Sequence, residues 1–203
     1  MKTDHLAISA IAVALCVIAC AAQADTQTVP LGGTVSPDAL QLPTYGDLPA
    51  TQVLPLQIWF KPRDQEQLKA LLAGQQDPGS PQYHQWLNPG EYARRFGVTQ
   101  GEFDQVSNWL RSEGFQVTGG SPLDGYIKFS GSTLTISRAF GTPVSKFSPD
   151  GFRFGILNEP RIPSQYENLV GTITGLDNLH ASKEMSASVL AHPVSGPDSQ
   201  PRK

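Results

Sequence analysis

Cysteine is almost absent from this chain of 203 residues: its only two cysteines, Cys16 and Cys20, lie within the first twenty positions. Both fall in a segment that we expect to be removed as a leader, so the mature chain would contain no thiol. Such a chain forms no disulfide, zinc ribbon or iron–sulfur cluster and has no cysteine nucleophile. Its stability must come from a hydrophobic core, and a chain of this length is large enough to bury one.

Charge is also scarce. Asp, Glu, Lys and Arg make up 16% of the residues, the net charge is −3, and Lys and Arg form no cluster. Nucleic acids and anionic membrane surfaces are bound chiefly through dense positive charge, so neither is an expected partner. No apolar run reaches the roughly 20 residues that a spanning helix needs, so we expect no stable membrane span.

Turn formers and apolar residues are abundant instead. The sequence contains 19 glycines and 17 prolines, and 39% of its residues are apolar. That apolar content is too high for a disordered chain, and the glycines show no collagen period. The composition therefore predicts one folded, turn-rich domain that contains β-structure.

The N-terminus has the features of a secretory leader. Lys2 precedes an apolar run from Leu6 to Cys20, and Ala22 and Ala24 form the small-x-small pattern after which signal peptidase cleaves. We therefore predict that residues 1–24 are a signal peptide and that the protein is secreted or periplasmic. The residues that end at Cys20 also resemble a lipoprotein cleavage site, which leaves a lipid anchor on Cys20 as the alternative.

The rest of the chain divides into three parts. Residues 25–51 contain turn formers and little periodicity, and we predict that they form an extended N-terminal arm. Residues 52–178 contain the periodic segments and are the predicted domain. Residues 179–203 are rich in Ser, Ala, Pro and charged residues, and predict a flexible linker.

Within the domain, strand and helix patterns are mixed. Apolar residues alternate from Val53 to Phe60, as in a strand with one buried face. Helices are predicted to begin at the caps Asp64, Asn88 and Thr99, and two hairpins, a short helix and a last strand follow. This order predicts an α+β fold in which helices cover one face of an open antiparallel sheet.

The other face of that sheet is left for a partner. Alternation places polar and aromatic side chains there, of the kinds that are enriched at protein interfaces. The predicted partner-facing residues are Gln57, Trp59, Gln116, Tyr126 and Lys128.

Catalytic and metal-binding patterns are missing. The histidines after the leader, His84, His180 and His192, are not spaced as metal ligands. Ser130 lies beside a glycine but not in the strained elbow of a hydrolase nucleophile. The glycine pairs lack the Lys-Ser/Thr ending of a phosphate-binding loop. We therefore predict no catalytic residue, no metal site and no cofactor in this chain.

A run of residues in the middle of the chain carries a family resemblance. It reads DPGSPQYHQWLNPGEY, followed by Phe96 and Gly97, and resembles the signature of the activation prodomain of sedolisin-type serine-carboxyl peptidases, the pro-kumamolisin type. The signature residues, which we expect to be structural, are Asp77, Pro78, Ser80, Pro81, Tyr83, Trp86, Leu87 and Phe96.

The resemblance implies both a fold and a function. It implies a ferredoxin-like half-sandwich prodomain, made ahead of a subtilisin-like catalytic domain, that assists the folding of this peptidase and holds it inactive until acid exposure. The catalytic domain, with its serine and its calcium site, should follow the linker, but this sequence stops at Lys203. No catalytic or metal residue can therefore be carried over.

Three readings of the function remain. The first is a prodomain, as a fragment or as the product of a shortened gene. The second is a free-standing secreted peptidase inhibitor or a general extracytoplasmic protein-binding module. The third is a hydrolase in its own right. For the first two, we expect acid to release the partner as carboxylates in the interface lose their charge.

Overall fold

The computed structural model describes residues 27–179. Within that range, four α-helices accompany one four-stranded sheet and two small sheets of two strands each. In chain order the elements are β1 (Thr28–Pro30), β2 (Val53–Phe60), α1 (Gln65–Gln76), α2 (Pro89–Phe96), α3 (Gln100–Ser112), β3 (Gln116–Ser121), β4 (Tyr126–Ser132), α4 (Thr133–Phe140), β5 (Val144–Lys146), β6 (Phe154–Ile156), β7 (Arg161–Pro163) and β8 (Val170–Thr174), with 3-10 helices at Pro37–Leu40 and Ser164–Tyr166.

The main sheet has the strand order β3–β4–β2–β8, and every neighbouring pair is antiparallel. The chain leaves β2 through α1, α2 and α3 before it returns as β3, and it leaves β4 through α4 before it reaches β8. This is the ferredoxin-like, split β-α-β arrangement. The predicted fold class, α+β with an open antiparallel sheet, is confirmed.

One face of the sheet is buried because its strands alternate. In β2, Leu54, Leu56 and Ile58 are buried, whereas the residues between them are exposed or half-buried. Ile127 and Phe129 of β4 are buried on the same side. The helices α3 and α4 pack against β3 and β4 and cover this face. The core residues that these two helices contribute are Phe103, Val106, Trp109, Leu110, Ile136 and Phe140.

The helices begin at the predicted caps. At α2, the side chain of Asn88 accepts the backbone N–H of Glu91, and the Glu91 carboxylate accepts the N–H of Asn88. Thr99 and Glu102 form the same reciprocal capping box at α3. Each box satisfies backbone donors that have no partner inside the helix, which is why these short motifs fix where a helix begins.

The structure corrects the prediction that residues 25–51 form an extended arm. From residue 27 onward this segment is part of the domain: β1 pairs with β7, and Leu31, Ala39 and Leu48 are buried. These apolar residues are too widely spaced to show a period. Their partners also lie far later in the chain, so local patterns could not reveal them.

The linker boundary is also corrected. Leu179, the first residue of the predicted linker, is buried against Ala39 and Phe147. Just before it, the Asn178 side chain accepts the N–H of Phe154 and donates to the carbonyl of Phe152.

Some predictions concern positions outside the described residues. These are the signal peptide with Ala22 and Ala24, the alternative anchor at Cys20, and the linker from position 180 to position 203. Between residues 27 and 179, no helix is long and apolar enough to cross a membrane.

Candidate functional site

The predicted partner-facing residues lie together on the uncovered face of the main sheet. Strand pairing places Gln57 opposite Lys128 and Trp59 opposite Tyr126. On the other side of β4, Gln116 lies opposite Ser130, which shares a face with Lys128. Because side chains alternate between faces, all five residues point away from the buried helix-covered side. That this face binds a partner stays a prediction.

An aromatic–lysine cluster, made of Trp59, Tyr126 and Lys128, occupies the centre of this face. The rings of Trp59 and Tyr126 are 5.0 Å apart between centroids and inclined by 57°. The Nζ atom of Lys128 lies 5.3 Å from the centroid of the Tyr126 ring, within range of a cation–π contact. The Trp59 indole N–H donates to Thr174 Oγ1 at 3.4 Å, which ties the cluster to β8.

The cluster remains accessible. Trp59 is 40% exposed, although large apolar side chains usually lie inside a folded domain. Trp and Tyr combine a large apolar area with few rotatable bonds, and they are enriched among the residues that dominate binding energy. The arrangement is therefore suited to binding a protein surface.

A depression of about 390 Å³ lies beside Lys128. Polar side chains around it are an amide and three hydroxyls, which can donate or accept hydrogen bonds. These side chains belong to Gln57, Thr118, Ser130 and Thr174.

Sequence reasoning missed three of these residues. The same alternation that selected Lys128 could have found Ser130, and it could have found Thr174 in the last strand. Thr118 lies two positions after Gln116, so the same alternation places it on this face as well, whereas the residues after it are displaced because β3 changes register between Val117 and Gly119. Such a bulge has no reliable signal in the sequence.

The electrostatics of the face are simple. Lys128 is the only charged residue in β2, β3, β4 and β8. Among residues 27–179, one ion pair has its nitrogen and oxygen within 4.0 Å of each other. It joins Lys69 to Glu66 on α1, away from the sheet. The face therefore presents one positive charge among amides, hydroxyls and aromatic rings.

The signature residues lie elsewhere: those from Asp77 to Leu87 are in the connection between α1 and α2, and Phe96 is the last residue of α2. Asp77 follows α1, and its carboxylate accepts the N–H of Gly79. Ser80 Oγ accepts the N–H of Gln82. Phe96 is buried in full. The contacts of Asp77 and Ser80 shape the connection, and the structural role of the signature stays a prediction.

Aromatic members of the signature are more exposed. The Tyr83 ring stacks on His84 at 3.8 Å, and Trp86, 6.1 Å beyond His84, is 64% exposed. Asp77, Pro78 and Pro81 are also exposed, and Ser80 and Leu87 are half-buried. The signature is therefore separate from the aromatic–lysine cluster.

Clustered metal ligands are not found in the part of the chain that the structure describes: no three or more His, Cys, Asp or Glu side chains converge there. What this part presents is an α+β domain with a ferredoxin-like sheet, helices on one face, and an open face with one charge and exposed aromatic rings.

The family follows from comparison with known proteins. The family model described as "Pro-kumamolisin, activation domain" matches residues 42–179. The chain therefore belongs to the pro-kumamolisin activation domain family. The resemblance to the activation prodomain of sedolisin-family peptidases is confirmed.

Two curated relatives share this region. The chain is 29% identical to xanthomonalisin of Xanthomonas sp. (strain T-22) over 133 residues, which cover 65% of this chain and 16% of that protein. It is 27% identical to sedolisin of Pseudomonas sp. (strain 101) over 141 residues, which cover 68% of this chain and 24% of that protein. The chain thus matches less than a quarter of the length of either relative.

Proposed function

We propose that this chain is a secreted prodomain that assists the folding of a sedolisin-family serine-carboxyl peptidase and inhibits it. The peptidase catalytic domain is the partner, either in a longer precursor or as a separate chain. The chain itself carries no catalysis. Family membership supports the prodomain role, and the predicted leader supports a secreted or periplasmic location.

The observation that carries the proposal is the aromatic–lysine cluster on an uncovered sheet. A face built from Trp59, Tyr126 and surrounding amides and hydroxyls gains free energy when a complementary surface excludes water from it. The flanking strands hold the cluster in place before binding, so little conformational entropy is lost on association. Such a preformed surface can also serve as a template on which a partner folds.

A free-standing inhibitor is the second candidate. The domain builds its main core from its own residues, from Leu31 near the beginning to Leu176 near the end of the described range. A domain with its own core can fold without a covalent partner. Inhibition by a separate chain therefore needs no further structural element. A general protein-binding role outside the cytoplasm would use the same open face of the main sheet.

The proposal is tested by binding and inhibition together. The purified chain is mixed at about pH 7 with the catalytic domain of xanthomonalisin, freed from its own prodomain, and residual peptidase activity is measured. We expect saturable inhibition and co-elution of the two proteins. A chain that neither binds nor inhibits this domain, nor that of sedolisin, would contradict the proposed function.

Folding assistance needs a separate measurement. The same catalytic domain is denatured and diluted with and without the chain, and the recovered activity is measured after the chain has been removed. We expect a higher recovery with the chain. Serum albumin at equal concentration is the control for non-specific protection.

A further inference from the structure

We infer that the partner surface presents a carboxylate to Lys128, and that this single charge pair is the electrostatic anchor of the complex. The inference rests on the proposed function and adds to it the chemistry of the partner. The charged residue on the strands of the main sheet is a lysine, so the interface carboxylate that loses its charge in acid would belong to the partner.

Lys128 lies in the interior of the sheet. It is on β4, which has β2 on one side and β3 on the other, and it pairs with Gln57 and Gly119. A partner that covers the aromatic rings of Trp59 and Tyr126 must therefore cover Lys128 as well. An ammonium group at the rim could remain in water, but one at the centre of an interface is desolvated.

Lys128 has no acidic neighbour on the described chain. The groups that face it are the Tyr126 ring and polar or aromatic side chains of β2, β3 and β8, all uncharged near neutrality. The nearest acidic residue along β4, Asp124 in the preceding turn, accepts a hydrogen bond from Ser121 Oγ at 2.7 Å. No carboxylate between residues 27 and 179 lies within 4.0 Å of the Lys128 ammonium.

Burial of an unpaired ammonium is strongly unfavourable, so a tight complex needs an opposite charge from the partner. The depression beside Lys128 gives that charge a place. Its amide and hydroxyls, from Gln57, Thr118, Ser130 and Thr174, can donate to the carboxylate oxygen that the lysine does not reach. The site therefore fits an Asp or Glu side chain on the covering surface.

The pair makes binding sensitive to acid with a defined sign. Lysine keeps its charge across the acidic range, whereas a carboxylate loses its charge as the pH falls through its pKa. Protonation of the partner leaves Lys128 buried without a counter-charge. Affinity should therefore fall with pH because of a group on the partner.

The substitutions Lys128→Gln and Lys128→Glu test this inference. Lys69→Gln is the matched control because Lys69 is an exposed lysine on α1. The probe is the xanthomonalisin catalytic domain with its catalytic serine replaced by alanine, so that acid does not start proteolysis. Dissociation constants are measured at about pH 7 and about pH 4 by calorimetry, and thermal unfolding checks that each variant is folded.

For wild type we expect weaker binding at the lower pH. Lys128→Gln should weaken binding at neutral pH by about 30-fold and flatten the pH dependence. Lys128→Glu should weaken it further and bind better in acid than at neutrality, because acid relieves the repulsion between two carboxylates. This reversal of sign would not result from a merely structural role of Lys128.

The inference is overturned if Lys128→Gln binds within about threefold of wild type and keeps its pH dependence, or if Lys69→Gln has the same effect. In either case the wild-type complex still forms, so the proposed function survives. If wild type does not bind at all, the proposed function fails instead. The two failures are thus distinguishable.

Discussion

The Trp59 indole and the Tyr126 ring lie 5.0 Å apart at directly opposed positions of β2 and β4. Cross-strand aromatic pairs of this kind stabilise a sheet, yet this pair faces away from the hydrophobic core. It therefore contributes to a surface that is ordered before any partner arrives. Because both strands are inner strands, the pair lies at the middle of the open face, where binding energy concentrates in protein interfaces.

Trp59→Ala tests the role of this pair in binding. We expect the dissociation constant for the peptidase domain to rise by about 30-fold, as for an interface hot spot. The free energy of unfolding should fall by only about 1 kcal/mol, since the side chain is 40% exposed and mainly a cross-strand contact is lost. Calorimetric titration and urea denaturation measure the two quantities.

The matched control for Trp59 is Leu134→Ala. Leu134 is 51% exposed and lies on α4, which packs on the helix-covered side of the sheet. We expect its binding to equal that of wild type. If Trp59→Ala and Leu134→Ala lost equal affinity for the peptidase domain, exposed apolar area in general, and not the open face of the sheet, would determine binding.

The glycine pair in β3 offers a test of the strand geometry. Gly120 has φ of +105°, and a Cβ there would overlap the carbonyl oxygen of Tyr126, whereas a Cβ on Gly119 would meet no atom within 4 Å. Gly120→Ala should therefore lower the free energy of unfolding by about 2 kcal/mol or more, and Gly119→Ala should change it by no more than about 0.5 kcal/mol. Urea denaturation measures both, and equal effects would contradict the backbone geometry of β3.

Local patterns were sufficient for part of this fold. The caps at Asn88 and Thr99 and the alternation in β2 depend on residues that are close in sequence, so they could be read directly. The pairing of β1 with β7 and the burial of Leu179 depend on residues far along the chain. Composition suggested an arm and a linker there because a few buried apolar residues form no period.

The candidate site was predictable to a similar extent. Period-two alternation put Trp59 and Lys128 on exposed faces of their strands. Only the register of the strands shows that Trp59 meets Tyr126 and that Lys128 lies in the interior of the sheet. The bulge in β3 beside Thr118, which lines the depression, depends on the paired strand as well.

Glu102 gives the stability a pH dependence of known sign. The pKa of its carboxyl lies below the ordinary value of 4.5, chiefly because the carboxylate accepts the backbone N–H of Thr99. Burial opposes this effect, and the Thr99 hydroxyl and the charge of Arg63 add to it. The folded state therefore binds this proton less readily than the unfolded state. The contribution of Glu102 to the free energy of unfolding is fully present above the pKa that its carboxyl has in the unfolded state. It is lost as the pH falls through the lower pKa of the folded state.

Glu102→Gln should remove that contribution. We expect the free energy of unfolding near pH 7 to be lower than that of wild type by about 0.5–1 kcal/mol. In the acidic range it should depend less on pH than the wild-type value does. Urea denaturation at several pH values measures the difference. Glu167→Gln, at an exposed position outside the α-helices, is the control for the loss of one carboxylate and should follow the wild-type profile. A Glu102→Gln profile parallel to wild type would contradict the capping role.

The N-terminal segment is held by a carboxylate that can be tested directly. Glu159 accepts the backbone N–H groups of Gly33 and Thr34 at 3.0 Å each, so both of its oxygens are used. Glu159→Gln replaces one acceptor with a donor and should lower the free energy of unfolding by about 1–2 kcal/mol. Hydrogen exchange at the two amides should become faster while exchange in β2 changes less, because the segment opens before the main sheet does. Glu167→Gln controls for the loss of one negative charge, and unchanged exchange at Gly33 and Thr34 would show that other contacts hold the segment.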